Sequence, residues 1–357
     1  MTLPAVPTDG LLPRPSARPG QPSLTTQRAL PRSAHRRTRR HLRAAVRLAA
    51  FLVAAAVAGC APTTGGAPLS TASPWSSNTT TEVSSPTTTI GLVADFGNCA
   101  DGERAVASMI NSWKVDAVVT AGDNTYVAPK CEPFTNSVGN YYGQYFSTDK
   151  GPAFFPALGN HDYDNVGAGL DKYNAIFHFI STTADAKRRW YDVKISGIHV
   201  FVLDNYAPPA DLALQQTWLK QALATAQKDD PAGWRVVVVH TPPYSSGVHP
   251  ANPAMQPSAG WDYRGWGADV VIAGHQHIYE DVIVDGFHYI TAGLGTNGAG
   301  EERPCPTTYV SGSRICVAGP GALRLAATAE AMSVAYHQPK GGASAIADVV
   351  TFHRSRP

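Results

Sequence analysis

The chain has 357 residues and a formal net charge of +2 at pH 7, but that charge is unevenly distributed. Ten arginines and a single acid lie in residues 1–59, so the remaining chain holds 19 basic against 26 acidic residues and carries a charge of −7. An acidic body of this kind excludes nucleic-acid binding through a basic surface. Its length, by contrast, is sufficient for one large α/β domain with its own core.

The first 60 residues have the layout of an export signal. Their arginine-rich part leads into a short apolar run at 49–58, followed by Gly59 and Cys60. This run is too short to span a bilayer stably. Residues 57–60 resemble a bacterial lipobox, in which the cysteine becomes the lipidated first residue, and residues 38–42 loosely resemble a twin-arginine signal. We therefore expect an exported protein, held at the cell surface by a lipid on Cys60 or otherwise secreted.

A change in composition separates this signal from the folded part. Residues 61–88 are rich in Ser, Thr, Pro and Gly and poor in apolar side chains, so they predict a solvated tether. The folded domain is predicted over residues 89–357.

Strands and helices alternate from residue 89 onward. Amphipathic spacing predicts helices at 101–113 and 211–227. Apolar runs predict strands at 89–94, 115–121, 153–158, 189–195, 198–204, 235–239 and 268–273. Later β-rich segments, expected to form a second sheet packed on the first, lie at 279–284, 287–291, 322–327, 331–337 and 347–353. The pattern favours a layered α/β sandwich.

Metal-ligand residue types follow five of the apolar strands. They are Asp95, Asp123, Asn160, His240 and His275. The carboxyl ends of parallel strands meet at one edge of a sheet, where α/β proteins bind ligands. Alone, each residue has an ordinary structural explanation as a turn, a cap or a core histidine, but the joint pattern favours a metal site. Tyr126 adds a phenol close to the Asp123 carboxylate, a combination that suits a hard cation.

Five ordered motifs resemble those of the calcineurin-like metallophosphoesterases in their purple acid phosphatase form. They are Asp95-x-Gly97, Gly122-Asp123-x-x-Tyr126, Gly159-Asn160-His161-Asp162, Val237-x-x-His240 and Gly274-His275-x-His277. Gly97 stands where many members of the superfamily have a histidine ligand, and most members lack Tyr126. His249, nine residues after His240, matches a catalytic histidine of the small, tartrate-resistant-like single-domain form. The resemblance implies a four-layer α/β/β/α sandwich of two packed mixed sheets flanked by helices.

The same resemblance implies two unlike metal sites that share Asp123. The first takes Asp95, Tyr126 and His277, and the second takes Asn160, His240 and His275. A phenol ionises at acid or neutral pH only beside a strong Lewis acid, which favours Fe(III) in the first site. The second ligand set suits a divalent ion, namely iron, zinc or manganese. His161 and His249 are not needed as ligands and are expected to bind the phosphoryl group and protonate the leaving oxygen.

The implied function is that of an exported acid phosphatase, which hydrolyses phosphate monoesters by in-line attack of a metal-held hydroxide. One alternative is a metallophosphodiesterase or nucleotidase with two divalent ions, against which Tyr126 and Gly97 argue. The other is a non-catalytic surface lipoprotein that binds phosphate or metal, against which the full ligand set and both catalytic histidines argue. No sequence feature specifies the substrate alcohol or the oligomeric state.

Four cysteines follow Cys60, an even number that favours disulfides in an exported chain, with buried free thiols as the alternative. Cys99 and Cys131 lie just past neighbouring motif loops, and Cys305 and Cys316 are close enough in sequence to close a short loop. We expect these two pairs to be bonded.

Overall fold

The computed structural model describes residues 81–126, 131–166, 170–296 and 303–354, and within these ranges thirteen strands form two sheets. The strands are β1 (Thr88–Val93), β2 (Ala117–Thr120), β3 (Phe154–Pro156), β4 (Tyr191–Ile195), β5 (Ile198–Val202), β6 (Trp234–Val239), β7 (Val270–Ala273), β8 (Tyr279–Val284), β9 (Phe287–Ala292), β10 (Ser313–Val317), β11 (Ala322–Ala327), β12 (Ala331–Lys340) and β13 (Ala343–His353). The helices are α1 (Asp101–Ser112), α2 (Asn140–Tyr142), α3 (Asn160–Val166), α4 (Asp171–Ile176) and α5 (Pro209–Asp229). Shorter helical turns occupy Thr135–Gly139, Gly143–Tyr145, Pro253–Met255 and Pro257–Ala259.

Both sheets are mixed. The first has the order β13-β12-β11-β1-β2-β3, in which β1, β2 and β3 run parallel and β11 lies antiparallel to β1. The second has the order β10-β8-β9-β7-β6-β5-β4, in which the neighbours β9, β7, β6 and β5 run parallel. The predicted architecture of two packed mixed sheets with helices is confirmed.

Alternation along β6 explains how the layers stack. Val236 and Val238 belong to the large core between the sheets, whereas Val237 and Val239 belong to a second cluster that includes Leu219 of α5. Successive side chains of a strand point to opposite faces, so a strand covered on both sides must be apolar throughout. The continuous valine run of β6 follows from this double burial.

The assignment of the later segments to a separate sheet is wrong. Strands β8 and β9 extend the second sheet, while β11, β12 and β13 complete the first. Strand β11 pairs with β1 across the register Thr88↔Ala327 to Leu92↔Leu323, a contact between distant parts of the chain. An apolar pattern identifies a strand but does not specify its partner, which explains the error.

The predicted tether is also wrong at its C-terminal end. The Glu82 carboxylate lies 2.9 Å from Arg324 and 3.3 Å from His337, and the Val83 amide donates to Ser333 Oγ at 3.0 Å. Thr88 already belongs to β1. Residues 81–88 therefore belong to the domain, although their polar composition predicted a solvated segment. The export signal, Cys60 and the rest of the tether lie outside the described residues.

Both predicted disulfides are present. Cys99–Cys131 joins the loop after β1 to the chain beyond β2, and Cys305–Cys316 closes a loop that ends on β10. A search of the described ranges finds no helix long and apolar enough to cross a membrane.

Candidate metal centre

The nine predicted site residues lie past the carboxyl ends of strands from both sheets. Strands β1, β2 and β3 of the first sheet lead to Asp95, Asp123, Tyr126, Asn160 and His161. Strands β6 and β7 of the second sheet lead to His240, His249, His275 and His277. A hydrogen bond joins these ends, since the His275 backbone amide donates to the Asp95 side chain at Oδ2 over 2.8 Å. The site is therefore built where the two sheets meet.

Tyr126 stands at the middle of the first predicted ligand set. Its phenolic oxygen lies 3.4 Å from Asp95 Oδ1, Asp123 Oδ2 and His277 Nε2. Two atoms that each bind one ion at about 2.1 Å are separated by roughly 3–3.5 Å at octahedral or tetrahedral angles. The phenol thus lies at the spacing of a neighbouring ligand from each of the three donors, and His277 Nε2 lies 3.5 Å from Asp95 Oδ1.

Three members of the second predicted ligand set, Asp123, His240 and His275, lie close together. Ligand atoms of Asp123, His240 and His275 all lie within 4.8 Å of one another. His240 Nδ1 bonds the Ala121 carbonyl at 2.7 Å, whereas its buried Nε2 has no hydrogen-bond partner and lies 3.3 Å from Asp123 Oδ2. A carbonyl partner on one ring nitrogen leaves the other free to bind metal, the usual arrangement of a metal-ligating histidine. This orphaned nitrogen fits a bound cation.

The electrostatics of the second set also favour a positive ion. Burial opposes a charged ring, yet Asp123 and Asp95 raise the pKa of His240 to about 10. Burial and the neighbouring His240 lower the pKa of His275 to about 3, which leaves its ring neutral. The buried carboxylates thus attract positive charge to this point, while His275 is already in the form that binds metal.

Three of the predicted ligands have a strained backbone. Asp95, Asp123 and His275 adopt left-handed conformations with φ of 54°, 51° and 68°. Such conformations cost about 1–3 kcal/mol each in a non-glycine residue and are concentrated at functional sites. The strain turns the chain sharply at the end of each strand, where the side chains of different strands meet.

Glycines in the motifs make room for these ligands. A Cβ at Gly122 would lie 2.5 Å from His240 Nδ1, and one at Gly159 would lie 2.2 Å from Asp123 Oδ1. A Cβ at Gly274 would lie 2.6 Å from Asp95 Oδ2. Real Cβ atoms essentially never approach so closely, so the ligand side chains occupy space that only glycine leaves open.

The backbone around Gly97 explains both the absence of a histidine ligand at position 97 and the position of Tyr126. A Cβ at Gly97 would lie 1.8 Å from the Asn124 carbonyl oxygen, so the backbone leaves no space for any side chain here. The Gly97 carbonyl instead accepts the Tyr126 amide at 2.8 Å. Close packing of the two loops thus excludes a ligand at position 97 and places Tyr126 beside Asp95.

The two histidines proposed for catalysis stand beside different ligands. The His161 ring lies 4.6 Å from the Tyr126 ring, and its backbone amide donates to Asp123 Oδ1 at 2.9 Å. The His249 ring lies 5.0 Å from His275 and 5.9 Å from His277. Burial, followed by the charges of His277 and Arg303, lowers the pKa of His249. Both rings can therefore reach a group bound at the ligand cluster.

Gln276, between two predicted ligands, has a role that sequence reasoning missed. Its side chain is fully buried and contacts the backbone of His249 twice. Oε1 accepts the His249 amide at 3.0 Å, and Nε2 donates to the His249 carbonyl. Gln276 therefore holds the loop of His249 against the strand end that carries His275 and His277. Its place inside the Gly274–His277 motif is the signal that could have identified it.

Tyr206 and Asp162 also form hydrogen bonds that hold the loops of the predicted site in place. Tyr206 donates its hydroxyl hydrogen to Asn160 Oδ1 at 3.1 Å and lies 2.8 Å from Thr241 Oγ1. The buried Asp162 accepts the amides of Asn124 at 2.9 Å and Gly159 at 2.8 Å. Asp162 lies within a motif, whereas Tyr206 lies in none, so no local pattern pointed to it.

The sequence model of the calcineurin-like phosphoesterase family matches residues 88–279, more than half of the chain. The chain therefore belongs to that family.

Two curated relatives from Arabidopsis thaliana are purple acid phosphatases. "Fe(3+)-Zn(2+) purple acid phosphatase 12" is 26% identical over 204 residues, which cover 54% of this chain and 43% of the relative. "Purple acid phosphatase 21" is 29% identical over 285 residues, covering 74% of this chain and 63% of the relative. The chain spans less than two thirds of the length of either.

Two solved structures share the fold. GAP50, described as the anchor in the inner membrane complex of Plasmodium, superposes with a TM-score of 0.57 at 19% identity, covering 75% of this chain and 89% of that one. The purple acid phosphatase PPD1 from yellow lupin gives a TM-score of 0.55 at 16% identity, covering 75% and 54% respectively. At these identities the likeness concerns the fold alone.

Proposed function

We propose that this protein is an exported acid phosphatase that hydrolyses phosphate monoesters at a dinuclear centre of Fe(III) and a divalent ion. The observation that carries the proposal is the position of Tyr126, whose phenolic oxygen lies 3.4 Å from three other potential ligands. Both Arabidopsis relatives are purple acid phosphatases, and the name of one specifies Fe(3+) and Zn(2+), which supports the proposal.

The ligand types suit two different ions. Asp95, Tyr126 and His277 would hold the ferric ion, and Asp123 would bridge to the second position. There, Asn160, His240 and His275 would hold the divalent ion, for which iron, zinc and manganese are candidates. When bound, the ions supply an activated water and Lewis-acid stabilisation of phosphoryl charge.

The chain's own catalytic contribution lies in His161 and His249. Both rings border the ligand cluster, and we assign His249, assisted by His161, to the leaving oxygen. The lowered pKa of His249 in the free protein does not conflict with this role. A phosphoryl dianion beside the ring stabilises its charged form, so substrate binding raises the pKa and favours protonation.

Export is proposed on the charge pattern of residues 1–60 and is supported by both disulfides, which persist in oxidising compartments. Lipid attachment at Cys60 is part of the proposal. Cys60→Ser should release the protein from the membrane fraction, and a wild-type protein found wholly in the soluble fraction would overturn the anchor.

The reaction is tested with the metal-loaded protein on 4-nitrophenyl phosphate and bis(4-nitrophenyl) phosphate. We expect cleavage of the monoester in acid to exceed that of the diester. A preference for the diester would favour the alternative with two divalent ions, and no cleavage of either by fully loaded protein would favour a binding protein.

The histidine roles are tested separately with an alkyl and a nitrophenyl phosphate. Removal of a general acid lowers the rate by ~10²–10⁴-fold, and the loss shrinks when the leaving group needs little protonation. His249→Ala should therefore lose more activity on the alkyl ester. His353→Ala, at an exposed histidine on β13, is the control. Equal losses of activity on both substrates would contradict the role of His249 as proton donor.

A further inference from the structure

Three exposed apolar side chains lie on two adjoining loops, one of which carries His249. Val248 is 65% exposed, Tyr309 is 47% exposed and Val310 is 37% exposed. By contrast, Leu214 on α5 and Ile346 on β13 are exposed apolar side chains on separate elements. Scattered exposed hydrophobic residues are normal, whereas a group on adjoining loops at a functional site indicates a binding surface.

The two loops that carry these side chains are joined. The Val310 amide donates to Ser246 Oγ at 2.9 Å, two residues before Val248. The buried Glu280 accepts the hydroxyls of Ser246 at 2.6 Å and Ser313 at 2.7 Å, so one carboxylate of β8 anchors both loops. The disulfide Cys305–Cys316 closes the loop of Tyr309 and Val310. The two loops are therefore held to each other, and the surface formed by Val248, Tyr309 and Val310 is called the apolar wall below.

This wall is held to the candidate catalytic site by His249. Val248 precedes His249 directly, and Gln276 binds the His249 backbone through both its amide and its carbonyl. The His249 ring in turn lies 5.0 Å from His275. The loop that carries Val248 is thus held next to the ligand cluster through His249 and Gln276.

We propose that Val248, Tyr309 and Val310 form the leaving-group subsite, and that the preferred substrates are phosphate monoesters of apolar alcohols or phenols. This inference rests on the proposed phosphatase function. If His249 serves the leaving oxygen, the carbon bonded to that oxygen continues past the ring toward the residue next to it. An apolar surface at that place gains from covering an apolar substituent, and the side chains of Val248 and Val310 offer no hydrogen bonds to a polyol.

The test is a series of n-alkyl phosphates from methyl to hexyl, whose leaving groups differ little in chemistry. Burial of one methylene changes an equilibrium about fourfold, so partial cover predicts a rise in kcat/KM of about two- to fourfold per carbon. Val248→Ser and Tyr309→Ser should flatten the rise, while Tyr309→Phe should keep it. Leu214→Ser and Ile346→Ser, which match Val248 and Tyr309 in exposure, should have no effect.

Three outcomes would overturn the subsite. One is a flat chain-length series in the wild-type protein, and another is an equal response of the subsite and control variants. The third is a preference for a carboxylate-bearing alkyl phosphate over the n-alkyl ester of equal length, which would assign the leaving-group side to Arg303 on the same chain segment. Loss of all hydrolysis in fully metal-loaded wild-type protein would instead refute the phosphatase function itself.

Discussion

The two sheets contribute different chemistry to their common seam. Strands of the first sheet lead to the oxygen donors Asp95, Asp123, Tyr126 and Asn160, whereas strands of the second lead to the imidazoles His240, His275 and His277. Each proposed ion would take ligands from both sheets. The difference indicates that the centre joins the sheets, and that neither sheet alone could supply a complete ligand set.

The oxygen donors of the first sheet (the oxygen side) and the imidazoles of the second sheet (the imidazole side) are also held in place differently. On the oxygen side, backbone packing such as the Gly97 contact with Asn124 places the ligands, and no side chain fits between. On the imidazole side, hydrogen bonds orient the rings, as the Ala121 carbonyl does for His240. Substitutions on the oxygen side should therefore disturb backbone packing, whereas those on the imidazole side should disturb the orientation of the rings.

The largest effect is expected where both sides meet, at Asp123. Asp123→Asn removes the charge that the two ions would share, and we expect loss of both metals and a rate reduction of ~10³-fold or more, equivalent to at least ~4 kcal/mol. Metal analysis and kcat would be measured together. Asp149→Asn, at an exposed acid, is the control. Retention of both metals with normal activity would contradict a bridging role.

A smaller effect is expected on the imidazole side at Gln276. Gln276→Leu leaves the His249 amide and carbonyl without partners, so His249 moves, and we expect kcat to fall by ~10–10²-fold. The same substitution in a His249→Ala background should have little further effect, because both changes act through one ring. Additive losses, or loss of metal from the single variant, would show that Gln276 does not act through His249.

Tyr206 distinguishes the two proposed ions. Tyr206→Phe removes the hydrogen bond to Asn160, which we propose as a ligand of the divalent position only. Loss of such an outer partner typically reduces metal affinity by ~10–100-fold. We expect dialysis to release the divalent ion faster while the iron content stays unchanged. Equal release of both ions would show that the two positions are not independent.

The last effect concerns stability and not catalysis, at a buried acid that supports the oxygen side. Glu103 accepts the Cys99 amide at 2.6 Å, and burial raises its pKa to about 9. The unfolded chain releases this proton near pH 4.5, whereas the folded protein keeps it, so stability falls as pH rises between these values by up to ~1.4 kcal/mol per unit.

Glu103→Gln keeps the acceptor and removes the titration. Its thermal stability should therefore exceed that of the wild type increasingly from pH 5 to pH 8, as measured by calorimetry. Asp101→Asn, at an exposed acid on the same helix, should follow the wild type. A parallel pH dependence in wild type and Glu103→Gln would refute the buried, protonated state.

Much of this arrangement could be predicted because strand ends are local features. The apolar runs before Asp95, Asp123 and His240 identify both the strand and the polar residue that follows it. Pairing could not be predicted in the same way, since β1 finds β11 more than 200 residues later. The short, half-exposed β10 also gave no apolar pattern.

Supports of the site were less visible than the ligands. The contact of Gln276 with His249 and that of Tyr206 with Asn160 join separate loops, and only three-dimensional proximity reveals them. The same holds for Glu82, whose partners Arg324 and His337 lie more than 240 residues away. Ligand types are evident in local motifs, whereas the contacts that orient them are long-range.

The central claim, that Tyr126 binds a ferric ion between the two sheets, is tested most directly by the visible spectrum of the purified protein together with metal analysis. A tyrosinate ligand on iron predicts a purple or pink protein with about one iron and one further divalent ion per chain. Tyr126→Phe should bleach the colour. A fully metal-loaded wild-type protein that is colourless and free of iron would contradict the account.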